Sequence, residues 1–555
     1  MDIRQKTVLI LGGYGLVGQA VARRLVRERP QRMVLLSLRR EEAEEAVAAL
    51  RPEAEGVVLE AAWGDVFTFA DAKDRPRREA FADPAHRART IESLLDPLSE
   101  AAAAQYYLHQ LITATRADIV VDSVNTATGI AYQDIYKTSR QAWQALREGT
   151  DLRESLETLL VTDYVPQLIR HVQVLYLAML KAGTGAYVKI GTSGTGGMGL
   201  NIPYTHSEEK PSRVLLSKSA LAGAQTLLLF LLARTPGAPI TKEIKPAAAI
   251  AWKRIGFGEV RRAGRPVPLH EPCEPETLAS GAVFHPHDPA RARPTGENLN
   301  SVYIDTGENG IFSLEEFSAI TTSEQMEFVT PEEIADVAVR EIQGGNTGHD
   351  VVNALDNAVM GPTYRAGLMR HWALEKLRSL EEAHRVRSVA FENLGPPRLS
   401  KLLHEADLLR RACGTMEHVG ACAPAELSRR LARELELDPA HVREIVSIGI
   451  PILLPDGRLL RGPEVKIPAA GASEVTPERL DAWARDGWVD LREANLALWR
   501  ERFRRIRAEM EDIPSEDSSS RFLRDRQFWG EEGQIQPGKV VGWIFATEEK
   551  GARMK

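Results

Sequence analysis

The run Thr7-Val8-Leu9-Ile10-Leu11-Gly12-Gly13-Tyr14-Gly15-Leu16-Val17-Gly18 decides the fold. Its first five residues are apolar or β-branched and read as a buried strand. The glycines that follow open an amphipathic helix running through Val26, with small Ala20 and Ala22 facing back. Glycines at 12, 15 and 18 permit a tight turn, let the backbone approach a pyrophosphate and allow close packing of helix on strand. The helix N-terminus adds N–H donors and a positive dipole. Because the pattern lies between a strand and a helix, residues 12 to 18 are the expected seat of a dinucleotide's phosphates.

Outward from this unit the alternation continues. Met33 to Leu36, Val57 to Leu59, Asp118 to Val121, Ala186 to Ile190 and Ile240 to Ile244 read as further strands, with long helices near Thr162 to Lys181 and Ser212 to Arg234. This order implies an α/β fold, a doubly wound parallel sheet of the Rossmann type. Residues 68–116, rich in Arg and Ala, exceed an ordinary crossover and are expected as a helical insertion. Seven prolines between Gly264 and Gly296 are too many for a regular element and mark a boundary or surface excursion. A capped helix is expected at Thr330-Pro331-Glu332-Glu333, and the pattern turns mainly helical from about Pro362. The expected domains are 1–263 for the dinucleotide, 264–361 as a proline-rich excursion with a substrate-domain segment, and 362–555 as a mainly helical C-terminal domain. Its Ala425 to Val446 and Ile452 to Leu460 resemble a winged helix-turn-helix.

The 555 residues suffice for two or three cores, and 70 basic against 77 acidic side chains give a net charge of -7. Nothing draws the whole surface to nucleic acid or an anionic membrane. Three cysteines make no disulfide framework, no export signal precedes the first strand, and Ala220 to Ala233 reads as a buried helix too short to span a bilayer. A cytoplasmic protein with a small-molecule substrate, assembling as a homo-oligomer, is expected.

After the second strand, Ser37-Leu38-Arg39-Arg40 stands where an NAD enzyme usually carries a carboxylate. Two guanidiniums there would pair with a 2'-phosphate, which favours NADP(H) over NAD(H); alternatively they cap the strand and pair with Glu41 and Glu42. Asp65 and Val66, after the third strand, would lie near the adenine, although a turn aspartate reads as well.

These residues together resemble the short-chain dehydrogenase/reductase superfamily in its extended or atypical branches, over about residues 5–260 with the helix at 331–343, and not over the remainder. By that resemblance the segment Ser123-Val124-Asn125 lines the cofactor and Thr192-Ser193 brings the catalytic hydroxyl of Ser193. Lys218, in Val214-Leu215-Leu216-Ser217-Lys218-Ser219-Ala220-Leu221, holds the nicotinamide ribose, and Lys245-Pro246 resembles the family's Pro-Gly turn. The family's catalytic Tyr, four residues before the Lys, is here Val214, and no Tyr-x-x-x-Lys occurs in the chain. Tyr204, just ahead of the helix, is the expected substitute, with His206 second and Tyr132 or Tyr136 as further hydroxyls. The implied activity is hydride transfer between NADP(H) and a carbonyl or alcohol. A non-catalytic NADP(H) sensor of NmrA type, or an epimerase or dehydratase acting through transient oxidation, is the alternative. No metal is expected: Asp305 to Glu316 imitates a calcium loop but reads as a turn and a Ser313/Glu316 capping box, and His285 and His287 lack a third ligand.

Overall fold

The computed structural model describes residues 1–131, 133–191, 213–246, 250–262, 264–307, 310–322, 329–350, 359–360, 364–393, 397–469, 471–517, 522, 524–530 and 533–548. Two compact units result. The first comprises residues 1–199, 211–251 and 327–366, the second 200–210, 252–326 and 367–555.

In the first unit, β1 (Thr7–Leu11), β2 (Arg32–Ser37), β3 (Val58–Trp63), β4 (Ile119–Asp122), β5 (Ala186–Ile190), β6 (Ile240–Pro246) and β7 (Val359–Met360) form a parallel sheet in the order β7-β6-β5-β4-β1-β2-β3. Period-two alternation divides the apolar residues between two faces. Val8 and Ile10 of β1 pack with the helices α1 (Leu16–Val26) and Pro331–Ile342. Leu9 and Leu11 pack on the other side with Tyr107–Thr115 and Tyr164–Ala182. Helices therefore cover both faces, and the doubly wound expectation holds.

Other expectations shift. The helix Pro331–Ile342, capped by Thr330 and Glu333 as its sequence implied, packs against α1, so residues 327–366 belong with the dinucleotide unit while 252–263 do not. The proline-rich segment carries short antiparallel strands after all, Pro268–Pro272 with Ala292–Asn298. Proline is tolerated where its missing N–H faces away from the ladder. The helix Arg213–Ala233 is not the buried helix expected. One face meets the sheet, and Leu216, Leu227 and Leu231 stand exposed, with 39% of the Leu216–Ala233 window buried. By length and composition alone that window is apolar enough to cross a membrane.

In the second unit the helices Pro424–Leu437 and Pro439–Ser447 and the hairpin Ile452–Leu453 with Arg458–Leu460 follow the winged-helix order. In the second of these helices His441 is buried and Arg443 bonds Glu271 at 3.0 Å. Ser313 and Glu316 form the reciprocal capping box at 2.9 and 3.0 Å. Among the described residues no group of His, Cys, Asp or Glu is placed to hold a metal.

Candidate active site

The glycine-rich loop is anchored to its neighbours by backbone bonds. Gly12 and Gly13 N–H donate to the Leu36 carbonyl at 3.0 and 2.7 Å, and Tyr14 N–H donates to Ser37 Oγ at 3.2 Å. Gly12 has φ +82°, and a Cβ there would come within 2.7 Å of Ser123 Oγ. A Cβ on Gly13 would lie 2.9 Å from Leu35 Cβ, and one on Gly18 would overlap the Gly12 carbonyl oxygen. A Cβ on Gly15 meets nothing nearer than Gly12 O at 3.5 Å. The three positions thus do different work: Gly12 turns the chain, Gly18 lets α1 close on the loop, and Gly15 keeps the helix entrance open.

α1 begins at Gly15 with no side-chain cap and no acidic residue in its first turn. Among the described residues the N–H groups of Leu16, Val17 and Gly18 find no acceptor. An uncapped helix end with outward N–H groups behind a glycine turn suits a pyrophosphate, so the residues fit a dinucleotide.

At the ends of β2 and β3 the two arginines separate in role. Arg40 bonds Glu44 at 2.7 Å and lies 5.0 Å from the Trp63 ring centroid, so it is already engaged, with Glu44 rather than Glu41 or Glu42. Arg39 is exposed, and its guanidinium has no ion partner among the described residues. Asp65, expected at the adenine, is held instead by Arg77 at 2.6 and 3.0 Å and by Phe67 N–H at 2.9 Å. Burial acts to raise its pKa, but the Arg77 charge and these bonds outweigh it and hold the carboxyl below the usual range. Arg77 comes from the 68–116 insertion, twelve residues on, and no local pattern announces that partner. The Val66 side chain is buried in the core.

The segment after β4 is fixed on every side. Ser123 Oγ donates to Leu11 O at 2.8 Å, and Val124 N–H donates to Asp122 Oδ1 at 3.0 Å. Asn125 Oδ1 accepts from Thr128 N–H at 3.1 Å. Lys189, absent from the sequence expectations, donates to Val124 O and pairs with Asp122 at 3.0 Å, both side chains 1–2% exposed. Tyr187 OH donates to Asp122 Oδ2 at 2.8 Å; burial, then the Asp122 charge, push its pKa well above the ordinary value. On β6, Glu243 stands in register with Lys189, its Oε2 buried without a partner and its Oε1 3.4 Å from Lys245 Nζ. The signal was a single lysine inside the apolar strand Ala186–Ile190, which burial obliges to find an anion. Asp122, Lys189 and Glu243 thus form a charged row across three neighbouring strands, at the carboxyl ends of β4 and β5 and the middle of β6, next to the strand ends where ligands bind in open α/β sheets.

Lys218 is buried on Arg213–Ala233, four residues after Val214 and so on the same helical face. Thr192, Ser193, Tyr204 and His206 lie outside the described residues, as does Tyr132. Tyr136 is exposed, under the Arg213 guanidinium at 5.2 Å.

No curated protein matches this chain. Among solved structures it is similar to a short-chain dehydrogenase from Sphingobium yanoikuyae in complex with NADPH, at 19% identity, 44% of this chain, 71% of that one and TM-score 0.23. It is also similar to a short-chain type dehydrogenase/reductase from Mycobacterium ulcerans, at 16% identity, 45% and 70% coverage and TM-score 0.24. A third is NAD+-bound xylitol dehydrogenase, at 16%, 44% and 71%, with TM-score 0.25. A family model, described as the Beta-methylindole-3-pyruvate reductase C-terminal domain, matches residues 271–549, most of which lie in the second unit. Its description is that of a reductase, in agreement with the oxidoreductase class expected from the first unit. With half of its length under that model, the chain belongs to the Beta-methylindole-3-pyruvate reductase C-terminal domain family.

Proposed function

We propose that the chain is an NADP(H)-dependent reductase of 2-oxo acids that carry an aryl side chain. The observation that carries the reading is the uncapped α1 N-terminus behind the Gly12–Gly18 turn, with unpaired Arg39 at the end of β2. Arg39 would pair with a 2'-phosphate, and Lys218 would hold the nicotinamide ribose. The bound cofactor would supply a hydride to the carbonyl carbon. Ser193 polarises the carbonyl oxygen and Tyr204 gives it the proton, so that a 2-hydroxy acid leaves. The Lys189–Asp122 pair fixes Ser123 to Asn125 along the cofactor. The substrate class follows the family's description.

Leu216, Leu227 and Leu231 are exposed, as are Val165 and Ile169 of the helix Tyr164–Ala182, and exposed apolar residues on these two helices suit a second copy of the chain. The three cysteines are unpaired, which suits a reducing cytoplasm.

Fluorescence titration with NADPH and NADH, followed by turnover of aryl 2-oxo acids, tests the reading. NADPH is expected to bind more tightly, Arg39→Glu to abolish that preference, and Tyr204→Phe to abolish turnover while keeping binding. Tight binding with no turnover on any substrate would favour the sensor suggested by Val214; absence of binding would defeat both.

A further inference from the structure

Within the first unit, between the end of β3 and the helix Tyr164–Ala182, lies a cavity of about 40 Å³. Its wall has no carboxylate. It carries three guanidiniums, Arg75, Arg77 and Arg170, beside aromatic rings that include Phe67, Phe69 and Phe81. Arg77 is already neutralised by Asp65. Arg170 is different: it is 5% exposed, and no carboxylate pairs with it among the described residues. Its Nη2 donates to the Leu94 and Asp96 carbonyls at 3.3 and 2.5 Å. Nε and Nη1 are buried and find no acceptor. A guanidinium has five N–H donors, so three stay unmatched on a desolvated cation. His171, also in the wall, is kept neutral near pH 7 by its burial and brings no compensating charge.

A buried cation without a counter-ion is costly, and both a small anion and a bridging water would relieve the unmatched donors. Two features favour the anion. The uncompensated charge calls for an opposite one, and apolar rings beside the guanidiniums suit a ligand with one charged end and one greasy end. A volume of about 40 Å³ holds roughly three waters, comparable to the few heavy atoms of acetate. We propose that this cavity is a binding site for a small carboxylate anion, held by Arg170 and Arg75 with its alkyl end against the phenylalanines. The site is independent of the 2-oxo acid reading, because its wall contains none of the residues assigned to the hydride-transfer site except the buried Val66.

The test is calorimetric titration of the full-length protein with sodium acetate at constant ionic strength, with acetamide, chloride and inorganic phosphate as comparators. Wild type should bind one acetate per chain saturably and ignore acetamide, which has the same shape without the charge. Arg170→Gln should weaken acetate at least tenfold. Ala80→Leu, which fills the cavity and leaves every guanidinium in place, should abolish binding. No saturable acetate signal in wild type, an equal response to acetamide, or preference for phosphate or chloride would overturn the proposal, as would unchanged affinity in folded Arg170→Gln. The wild-type comparison decides even where a variant fails to fold. NADPH affinity, measured on the same samples, reports separately on the cofactor site.

Discussion

Gly18→Ala tests the dinucleotide turn most sharply, because the new methyl meets backbone rather than a side chain that could swing away. The added Cβ would overlap Gly12 O and sit 2.9 Å from the Gly12 carbonyl carbon and 3.1 Å from Gly13 Cα. An ordinary carbon–carbon contact is roughly 3.5–4.0 Å, so α1 must withdraw from the loop by at least about half an ångström. Overpacking of that kind costs about 1–3 kcal/mol, and alanine's better helix propensity returns up to roughly 1 kcal/mol. The net loss lies between about 0 and 3 kcal/mol, and its middle range, about 1–2 kcal/mol, corresponds to a fall in the melting transition of the first unit of roughly 2–8 °C. The same withdrawal displaces the free N–H groups of Leu16 to Gly18, so NADPH affinity should fall at least tenfold. Gly15→Ala is the comparison: its Cβ meets only Gly12 O at 3.5 Å and its φ of -63° suits alanine, so only the weaker N-cap preference of alanine opposes it and the melting temperature should fall less than in Gly18→Ala. Differential scanning calorimetry and fluorescence titration read both effects. A Gly18→Ala protein that melts with wild type and binds NADPH as tightly would refute the close-approach argument.

Two further perturbations follow from buried charge. Burial pushes the His171 pKa down to about 4 from an unfolded value near 6.5, so between those limits the unfolded chain binds more protons than the folded one. Stability from this group is whole above about pH 6.5 and declines as pH falls toward 4, by on the order of 3 kcal/mol when fully developed. His171→Gln should flatten the melting temperature against pH in that window, and an unchanged slope would contradict the assignment. In the second unit Lys401 and Glu405 pair at 2.9 Å, 3% and 0% exposed, while Glu405 also accepts from Asp490 N–H and Trp499 Nε1 at 2.7 Å each. Lys401→Met should therefore cost about 3–5 kcal/mol, seen in denaturant unfolding, by stranding the carboxylate, and Lys401→Met with Glu405→Gln should recover part of it.

Local chemistry made much of this molecule legible. Thr7–Leu11 and Ala186–Ile190 end where their apolar runs end, and the glycine turn carries its own steric logic. What escaped depends on residues meeting across the chain. Lys189 finds Asp122 only when β5 lies beside β4, and Asp65 loses its expected freedom to Arg77 from another element. The prolines of 264–296 suggested irregularity because their compatibility with short edge strands shows only once partners are known. The exposure of Leu216, Leu227 and Leu231 was hidden for a related reason, since apolarity alone does not say which face of a helix is covered.

The first unit is stitched from three separate stretches of chain, and this shapes its birth on the ribosome. α1 finishes its packing only when Pro331–Ile342 arrives, with Arg24 bonding Asp336 at 2.6 Å and the amino terminus of Met1 donating to Ile342 O at 2.8 Å. More than three hundred residues must therefore emerge before the earliest strand is fully sheltered, and in the meantime residues 252–326, which belong to the other unit, pass through the tunnel. N-terminal fragments ending near residue 263 should accordingly be aggregation-prone intermediates rather than free-standing modules. Because the two units interleave along the chain, neither can be exchanged by a single crossover without cutting one of them.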